Sequence, residues 1–503
     1  MNSRKTSFNL VDEPWLPIVG GGCVSLRDIF SPNATHGAVA GDPVQKIALT
    51  KLLLAIAQAA ATPESEIVIR ATTPDEMAAL CLAYLEKWRD RFDLRGETPF
   101  LQMPAIQAAA KQSYGAVRPE VASGNTTVLL QSQIDRPLND AEKAILLVRL
   151  TGFALGGKKT DNSVTLTPGY LGKFNDKGKP ASGKPGPSLG FLGLLHSFVL
   201  GKNLRETIFL NLLSTDRING TRMFPGGVGI APWEDMPDGE DCPKAKKLRE
   251  SLMGRLIPLS RFVLLADDGL HYSEGIIHLG HKDGVTDPSC SIDNREKEPK
   301  ALWTNPEKRP WRELTSLLSF IENDKEKGFQ SLQLRSAVDR AVDSTETFKI
   351  WSGGLRVSSN AGEQFVSGSD DFVESIVTLN SESLGDVWFS LLKTETSVLD
   401  ELSKMLYGRI SGYFRELKSE GKNLAAQASN QFWRSCEDHF QALVDACDPS
   451  NDATERLARL RRKFCGIALE TYDRVCARNT ARQMDSWIRN RPDASKFLRK
   501  EPT

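Results

Sequence analysis

No two of the eight cysteines stand in a CxxC pair, no HExxH string occurs, and only six histidines are spread over 503 residues. Cys23, Cys81, Cys242, Cys290, Cys436, Cys447, Cys465 and Cys476 are scattered. That spacing argues against a regular zinc motif and against the disulfide framework of a small secreted domain. Free thiols in a reducing compartment are expected. Net charge is missing too, since 64 Lys+Arg meet 64 Asp+Glu. A free-standing nucleic-acid binder is usually basic overall, so any DNA contact must come from a local patch or from partner subunits. No apolar run reaches the roughly 18 residues of a membrane span. The richest candidate, Ile47 to Ala61, contains Lys51 and Gln58 and reads as a buried amphipathic helix. The opening MNSRKTSFNLVDEPWLP lacks the apolar core of a signal peptide. A cytoplasmic protein without a membrane partner is expected.

What is present is an ordinary globular composition, 40% apolar and 25% charged, in a chain long enough for about two or three domains. The first stretch reads as mixed α/β. Pro43 opens an apolar helix to about Ala61, and a second helix runs from about Pro74 to Arg91. Asn139 or Asp140 caps a helix to Phe153, which ends at Gly156-Gly157. Residues 156–186 then hold seven Gly and six Lys against two Asp. A loop of that length inside a domain is functional or disordered. Segment 187–213 reads as buried helix, 255–282 alternates like strands, and 310–325 reads as helix. Segment 345–366 reads as strand, glycine turn and strand around Gly353-Gly354. From about 382 the apolar spacing turns helical (Val387, Leu391, Leu392, Val398, Leu399, Leu402, Leu406). Helices are expected at 382–419, 424–447, 452–478 and 480–490, an antiparallel four-helix bundle. The fold class is α+β, with an N-terminal mixed α/β domain over 1–375 joined to a C-terminal four-helix bundle over 380–503. No internal repeat is visible.

Candidate chemistry is sparse. Gly178 to Lys184 fits GxxxxGK, but Pro185 stands where a P-loop needs Ser or Thr for magnesium, and no strand precedes it. His278 and His281 lie three apart and near Cys290, which is too few ligands for a regular zinc site; a solvated loop is the expected reading. Asp267-Asp268 and Asp370-Asp371 fit turns. No Cys–His arrangement is visible, and no catalytic residue, cofactor or metal is expected. Three features fit nucleic acid instead. Gly156-Gly157-Lys158-Lys159 combines backbone that can approach a ligand closely with phosphate-attracting side chains; a helix C-cap followed by a solvated Lys run reads the same way. Residues 451–503 hold 13 Lys/Arg against seven acids, either a phosphate-tracking face or a solvated one that pairs with acids elsewhere. Loop 295–311 sets Lys297, Lys300, Lys308 and Arg309 beside Trp303 and Trp311. Basic and aromatic residues together suit nucleic acid, while Trp in such a loop also serves as a core anchor.

These signals cohere against one family. FNLVDEPWLPI at the start, GDPVQKIALTKLLLAIAQ at 41–58, RFDLRGETPFLQ at 91–102, SGNTTVLLQ at 123–131 and DAEKAILLVRLTGFALGG at 140–157 resemble the CasA family. So do GKNLRETIFLNLL at 201–213, APWE at 231–234, KALW…RPW at 300–311 and WSGGLRVSSN at 351–360. NQFWRSCEDHFQAL and ALETYDRVCARNTAR complete a collinear series over nearly the whole chain. CasA is the large, non-enzymatic subunit of the type I-E CRISPR Cascade complex.

The resemblance implies the two-domain architecture above, and as partners the other Cascade subunits, crRNA, double-stranded target DNA and a helicase-nuclease effector. It places the family's glycine loop, which reads the protospacer-adjacent motif from the minor groove, on Gly156 and Gly157, followed by Lys158 and Lys159. The segment that contacts the complex near the crRNA handle falls on Asn125 to Gln131, with Asn125, Leu130 and Gln131 the residues carried over. The wedge that splits the duplex falls on Ser358, Ser359 and Asn360. Relatives carry Gln at its tip where this chain has Ser, with Asn360 the nearest amide. The motif-reading lysine falls on Lys300, with Lys297 the alternative. Some relatives carry a cysteine cluster upstream of this element; this chain has only Cys290 there, so no zinc is carried over. Two rival readings stand beside this one: the large subunit of another type I subtype with nuclease activity, and a protein-only scaffold.

Overall fold

In the computed structural model the described residues are 7–32, 34–117, 136–153, 160–178, 193–295, 297–322, 328–356, 372–449 and 452–498. They form two compact units. The first comprises residues Met1–Pro310, Phe329–Ala341 and Lys349–Ser375; the second comprises Trp311–Gly328, Val342–Phe348 and Ile376–Thr503.

The first unit is organised around one helix, α1 (Pro43–Ala61). Asp42 caps it by accepting from the Gln45 amide at 3.0 Å, and Pro43 occupies the first helical position, where no amide is needed. Fourteen of its 19 residues are buried, so it is apolar on nearly all sides, as the central helix of a layered core must be. By length and composition alone it would pass for a membrane span, yet it lies inside this unit. Its polar residues are paired. Gln58 accepts from the Leu213 amide at 2.7 Å and donates to the Leu213 carbonyl at 3.1 Å. Around α1 pack α2 (Pro74–Lys87), α3 (Asp140–Gly152) and the short α4 (Leu204–Leu210). Asn139 and Glu142 close a capping box on α3. Phe92, Phe100 and Trp233 pack with ring centroids within 6.0 Å of one another, and the Trp233 indole donates to Tyr84 at 2.7 Å.

Strand β1 (His196–Leu200) stands where the apolar run 187–213 suggested helix. A short, largely buried strand and a buried helical turn look alike in an apolar sequence, and among the described residues of that run α4 is the α-helical part. Strands β2 (Arg261–Leu265) and β3 (Leu270–Glu274) form the expected hairpin, turning at Asp267-Asp268, with Arg261 opposite Glu274. A smaller hairpin follows, β4 (Ile292–Asp293) with β5 (Lys300–Ala301). Where a helix over 310–325 was expected, the described residues 310–322 form short helical turns, with Leu314–Leu317 the α-helical part. Helix α5 (Leu332–Ser344) then leads into β6 (Thr347–Leu355), which pairs on one side with β1 and on the other with β7 (Phe372–Asn380). The unit boundary falls within β6 and β7.

Gly353 and Gly354 therefore lie inside a strand and not in a turn. Their reason is space. A Cβ at Gly353 would stand 2.7 Å from the Trp351 ring and 2.9 Å from the Val373 carbonyl oxygen; one at Gly354 would stand 2.3 Å from Thr304 Oγ1 and 3.0 Å from the Leu194 carbonyl oxygen. A glycine within a strand commonly marks such close approach.

In the second unit, α6 (Asp386–Glu416) packs against α7 (Lys422–Glu437), α9 (Ala453–Val475) and α10 (Ala481–Asn490). The expected 424–447 helix is divided at Asp438-His439 into α7 and α8 (Phe440–Ala446), with no glycine or proline at the break. Arg461 reaches across from α9 to Glu395 of α6, donating at 2.9 Å from Nε, with both side chains buried. Trp311 packs against Trp433 and Phe440 at centroid distances of 5.8 and 4.4 Å. All eight cysteines are free thiols, six of them buried.

The close approach at Gly354 is open to test. Gly354→Ala should destabilise the protein by about 1–3 kcal/mol through overpacking, read as a lowered urea midpoint. Gly385→Ala, where a Cβ meets nothing within 4 Å, should stay within about 0.5 kcal/mol of the parent.

Candidate nucleic-acid interface

Strand β1 is clasped on both edges. On one, His196 faces Gly353 and Leu200 faces Lys349 of β6. On the other, the chain from 287 to 304 is bonded along it. Ser197 donates to the Ser289 carbonyl at 2.9 Å, Leu195 to the Leu302 carbonyl at 2.9 Å, and Thr304 to the Gly193 carbonyl at 2.7 Å. The β4–β5 hairpin carrying Lys300 thus hangs on β1. Thr304, just beyond it, packs against Gly354, two residues before β6 passes into segment 357–371. The Lys300 hairpin and the departure of β6 toward Ser358 therefore meet at one end of one sheet.

Lys300 is exposed and stands opposite Asp293 in the hairpin register. Asp293 is buried and accepts from Arg295, at 2.8 Å from Nε and 2.5 Å from Nη2, which holds its carboxyl below the usual carboxylate range. Trp303 and Trp311 part ways. Trp311 is a core anchor, as above. Trp303 is 42% exposed, between buried Leu302 and Thr304.

Beneath this end lies a buried polar network. Lys51, on the central helix α1, pairs its ammonium with Asp287. Burial pulls the Lys51 pKa down, and the Asp287 carboxylate opposes that pull. Burial would raise the Asp287 carboxyl, but the Lys51 ammonium, His196 and the Ser289 hydroxyl outweigh it and hold it low. Asp287 also accepts from the Ser289 amide at 3.0 Å and hydroxyl at 2.6 Å. That hydroxyl lies 2.9 Å from His196 Nδ1, and with its proton engaged the imidazole is the donor. Cys290 Sγ lies 3.5 Å from the same ring nitrogen. Ligand-type atoms of His196, Asp287 and Cys290 all lie within 4.8 Å of one another. This is a Cys–His contact the sequence did not reveal. Its chemistry is structural. Burial, then the Asp287 carboxylate, pushes the Cys290 thiol well above its ordinary value, so it is no thiolate nucleophile. The Lys51 ammonium already occupies the carboxylate that a dication would need. The signal available beforehand was a lysine in the middle of an apolar helix, a charge that must find a partner.

His278 and His281 correct the solvated-loop expectation, since both are buried. His278 donates from Nε2 to the Pro258 carbonyl at 2.7 Å, and its Nδ1 has no hydrogen-bond partner among the described residues. Burial, then the nearby Arg255 charge, brings its pKa down to about 3. His281 stands edge-on to Trp303 at 5.4 Å between centroids. Neither histidine belongs to the Cys290 cluster among the described residues; His196 does.

Of the remaining expected residues, Gly156, Gly157, Lys158, Lys159, Ser358, Ser359, Asn360, Asn125, Leu130 and Gln131 lie outside the described residues, as does Gly178–Lys184 beyond Gly178. Outside them too lies Gly186–Gly190, a Gly-Pro-Ser-Leu-Gly order with the spacing of a serine-nucleophile string that was not among the expected features. What is described is how their flanks are held. Phe153 and Thr160 on either side of the glycine loop are buried, and Thr160 donates to Glu274 at 3.3 Å. Glu274 is itself in a buried pair with Arg261. In the C-terminal basic region, Arg459, Arg461, Arg489 and Arg491 are paired with Glu455, Glu395, Asp485 and Asp473. For those four, the reading as cations paired with acids is the observed one.

Asp287→Asn would leave the Lys51 ammonium buried without its counter-charge and should cost about 3–5 kcal/mol. Adding Lys51→Met should recover much of that loss in denaturant unfolding. Stability should also depend on pH through His278. Folded His278 stays neutral down to about pH 3, whereas the unfolded chain takes up the proton near 6.5. The unfolded state therefore binds more protons between those values, and stability falls as pH drops through that window, by on the order of a few kcal/mol. His278→Gln should show a flatter decline in thermal midpoint between pH 7 and pH 4 than the parent.

The family described as CRISPR-associated protein Cse1 matches residues 9–471. A CRISPR-associated CasA/Cse1 protein of Thermus thermophilus is 30% identical over 303 residues, 55% of this chain. The chain spans about half, 52%, of that relative's length. The crystal structure of Thermobifida fusca Cse1 superposes with a TM-score of 0.78 at 22% identity, covering 98% of both chains. A chain of a CRISPR RNA-guided surveillance complex superposes with a TM-score of 0.66 at 17% identity, covering 98% of this chain and 99% of that one. The mixed helix-and-strand fold built above is thus the Cse1 fold, and the chain belongs to the CRISPR-associated Cse1 (CasA) family.

Proposed function

We propose that this chain is the large subunit of an RNA-guided surveillance complex of the Cascade type, where it reads a short duplex motif beside the target and helps part the strands. The reading rests on the meeting, at one end of the β1–β6 sheet, of the Lys300 hairpin and the strand that leads to Ser358. Membership of the Cse1 family and the likeness to a chain of a surveillance complex agree with it. The role is binding, without catalysis.

In this reading Gly156 and Gly157 bring backbone amides against the acceptors of the minor groove, where a side chain would hold the duplex off. Lys158 and Lys159 add phosphate attraction, and Lys300 reads the motif from its exposed hairpin. Ser358, Ser359 and Asn360 enter beside the motif. Unstacking a step costs a few kcal/mol, offset by cationic contacts and by the guide–target heteroduplex that replaces the duplex. Asn125, Leu130 and Gln131 contact the complex near the crRNA handle. Residues 1–375 form the DNA-reading domain and 380–503 the family's four-helix bundle, and the assembled complex recruits a helicase-nuclease. A net charge of zero is compatible with this role, because neighbouring subunits supply the rest of the basic channel.

The test is binding by the reconstituted complex to duplexes with intact or scrambled motif. The parent should prefer the intact motif. Gly156→Val with Gly157→Val, and separately Lys300→Ala, should lower that preference tenfold or more while the complex still assembles. Undiminished preference in both variants would remove the assignment.

A further inference from the structure

We infer that the Trp303 indole is a stacking surface for a nucleobase displaced from the duplex beside the motif. The inference rests on the function proposed above and adds a residue to it.

Residues 302–304 alternate as a strand does. Leu302 and Thr304 turn inward at 7% and 5% exposure, and Trp303 turns outward at 42%. The exposed part of the ring is available for a partner to cover, and covering it would be favourable. The ring is also held in place. Its backbone is bridged to Leu194, the adjoining Thr304 is bonded to Gly193, and His281 stands edge-on to the indole at 82°. Burial, then Lys282, keeps the His281 pKa below its ordinary value, so the imidazole presents a neutral edge. A surface side chain packed for nothing would be free to turn; this one is set like a platform.

Its position and charge identify the occupant. Trp303 lies between exposed Lys300 and the Thr304–Gly354 contact that marks the departure of β6 toward Ser358. Lys297, Lys300, Lys308 and Arg309 lie within six residues of it, against Glu298 and Glu307. An aromatic face within a locally cationic stretch suits a polyanion with exposed π-faces, which is single-stranded nucleic acid. A protein partner would be met better by an apolar rim. When the wedge parts the first base pair, a freed base needs a surface to replace the neighbour it has lost. A rigid indole supplies one without regard to base identity, which is what an element acting on every target requires.

The experiment follows strand separation by the reconstituted surveillance complex on a duplex carrying 2-aminopurine in the first pair next to the motif. A second duplex has that pair mismatched beforehand. Trp303→Ala should slow opening of the matched duplex about tenfold, Trp303→Phe should recover most of the rate, and Trp303→Leu, apolar but without a π-face, should not. On the mismatched duplex the defect should shrink to about twofold or less. Opening by Trp303→Ala at the parental rate, or an equal defect on both duplexes, would overturn the inference while leaving motif reading intact. If the parent complex itself opened scrambled-motif duplexes as fast as matched ones, the underlying function would fail as well.

Discussion

A lysine in the middle of an apolar helix is the constraint from which much of the first unit follows. Lys51 lies in α1, buried with the rest of that helix, and an ammonium removed from water needs a counter-charge with good geometry. Asp287 supplies it and is held by the Ser289 turn, and that turn abuts His196 at the start of β1. One charge pair therefore ties the central helix to the strand on which the Lys300 hairpin hangs. The same logic recurs at Arg261–Glu274 under the flank of the glycine loop and at Arg461–Glu395 between the long C-terminal helices. Each places a charge pair where apolar side chains would have avoided the desolvation cost; Lys51–Asp287 and Arg461–Glu395 also join segments distant in sequence, whereas Arg261–Glu274 closes one hairpin.

The edge of β1 serves a second purpose. A strand flanked on both sides offers no open ladder, and its partners here are the two segments that the proposed function needs together. The glycines at 353 and 354 allow the approach, since any side chain there would push β6 away from Thr304 or Val373. Trp303, beside Thr304, is exposed at 42%. Trp311, eight residues on, is committed to packing against Trp433 and Phe440.

Much of this could be read in advance, and the misses share a cause. Capping chemistry is local, so Pro43 marked the start of its helix, and the cap read as Asn139 or Asp140 proved to be Asn139. Alternation marked the Arg261–Glu274 hairpin. By contrast, a largely buried strand at His196–Leu200 carries no period to distinguish it from helix, and two adjacent glycines signal a turn until the neighbours that crowd them are known. The break at Asp438-His439 has no local marker. For the candidate site, Lys300 was singled out by the basic and aromatic loop 295–311 and by family resemblance. The Cys290–His196 contact was not legible at all, because 94 residues separate the pair.

What the sequence by itself determined was the local order of elements, the balance of charge, the absence of regular metal motifs and the collinear family pattern. All of these depend on residues close along the chain, or on their succession. What only the tertiary structure decided was which charges are buried together, why Gly353 and Gly354 must be glycine, and which of two tryptophans in one loop faces outward. Those depend on distances between segments that the chain brings together only on folding, and local propensity carries no term for them.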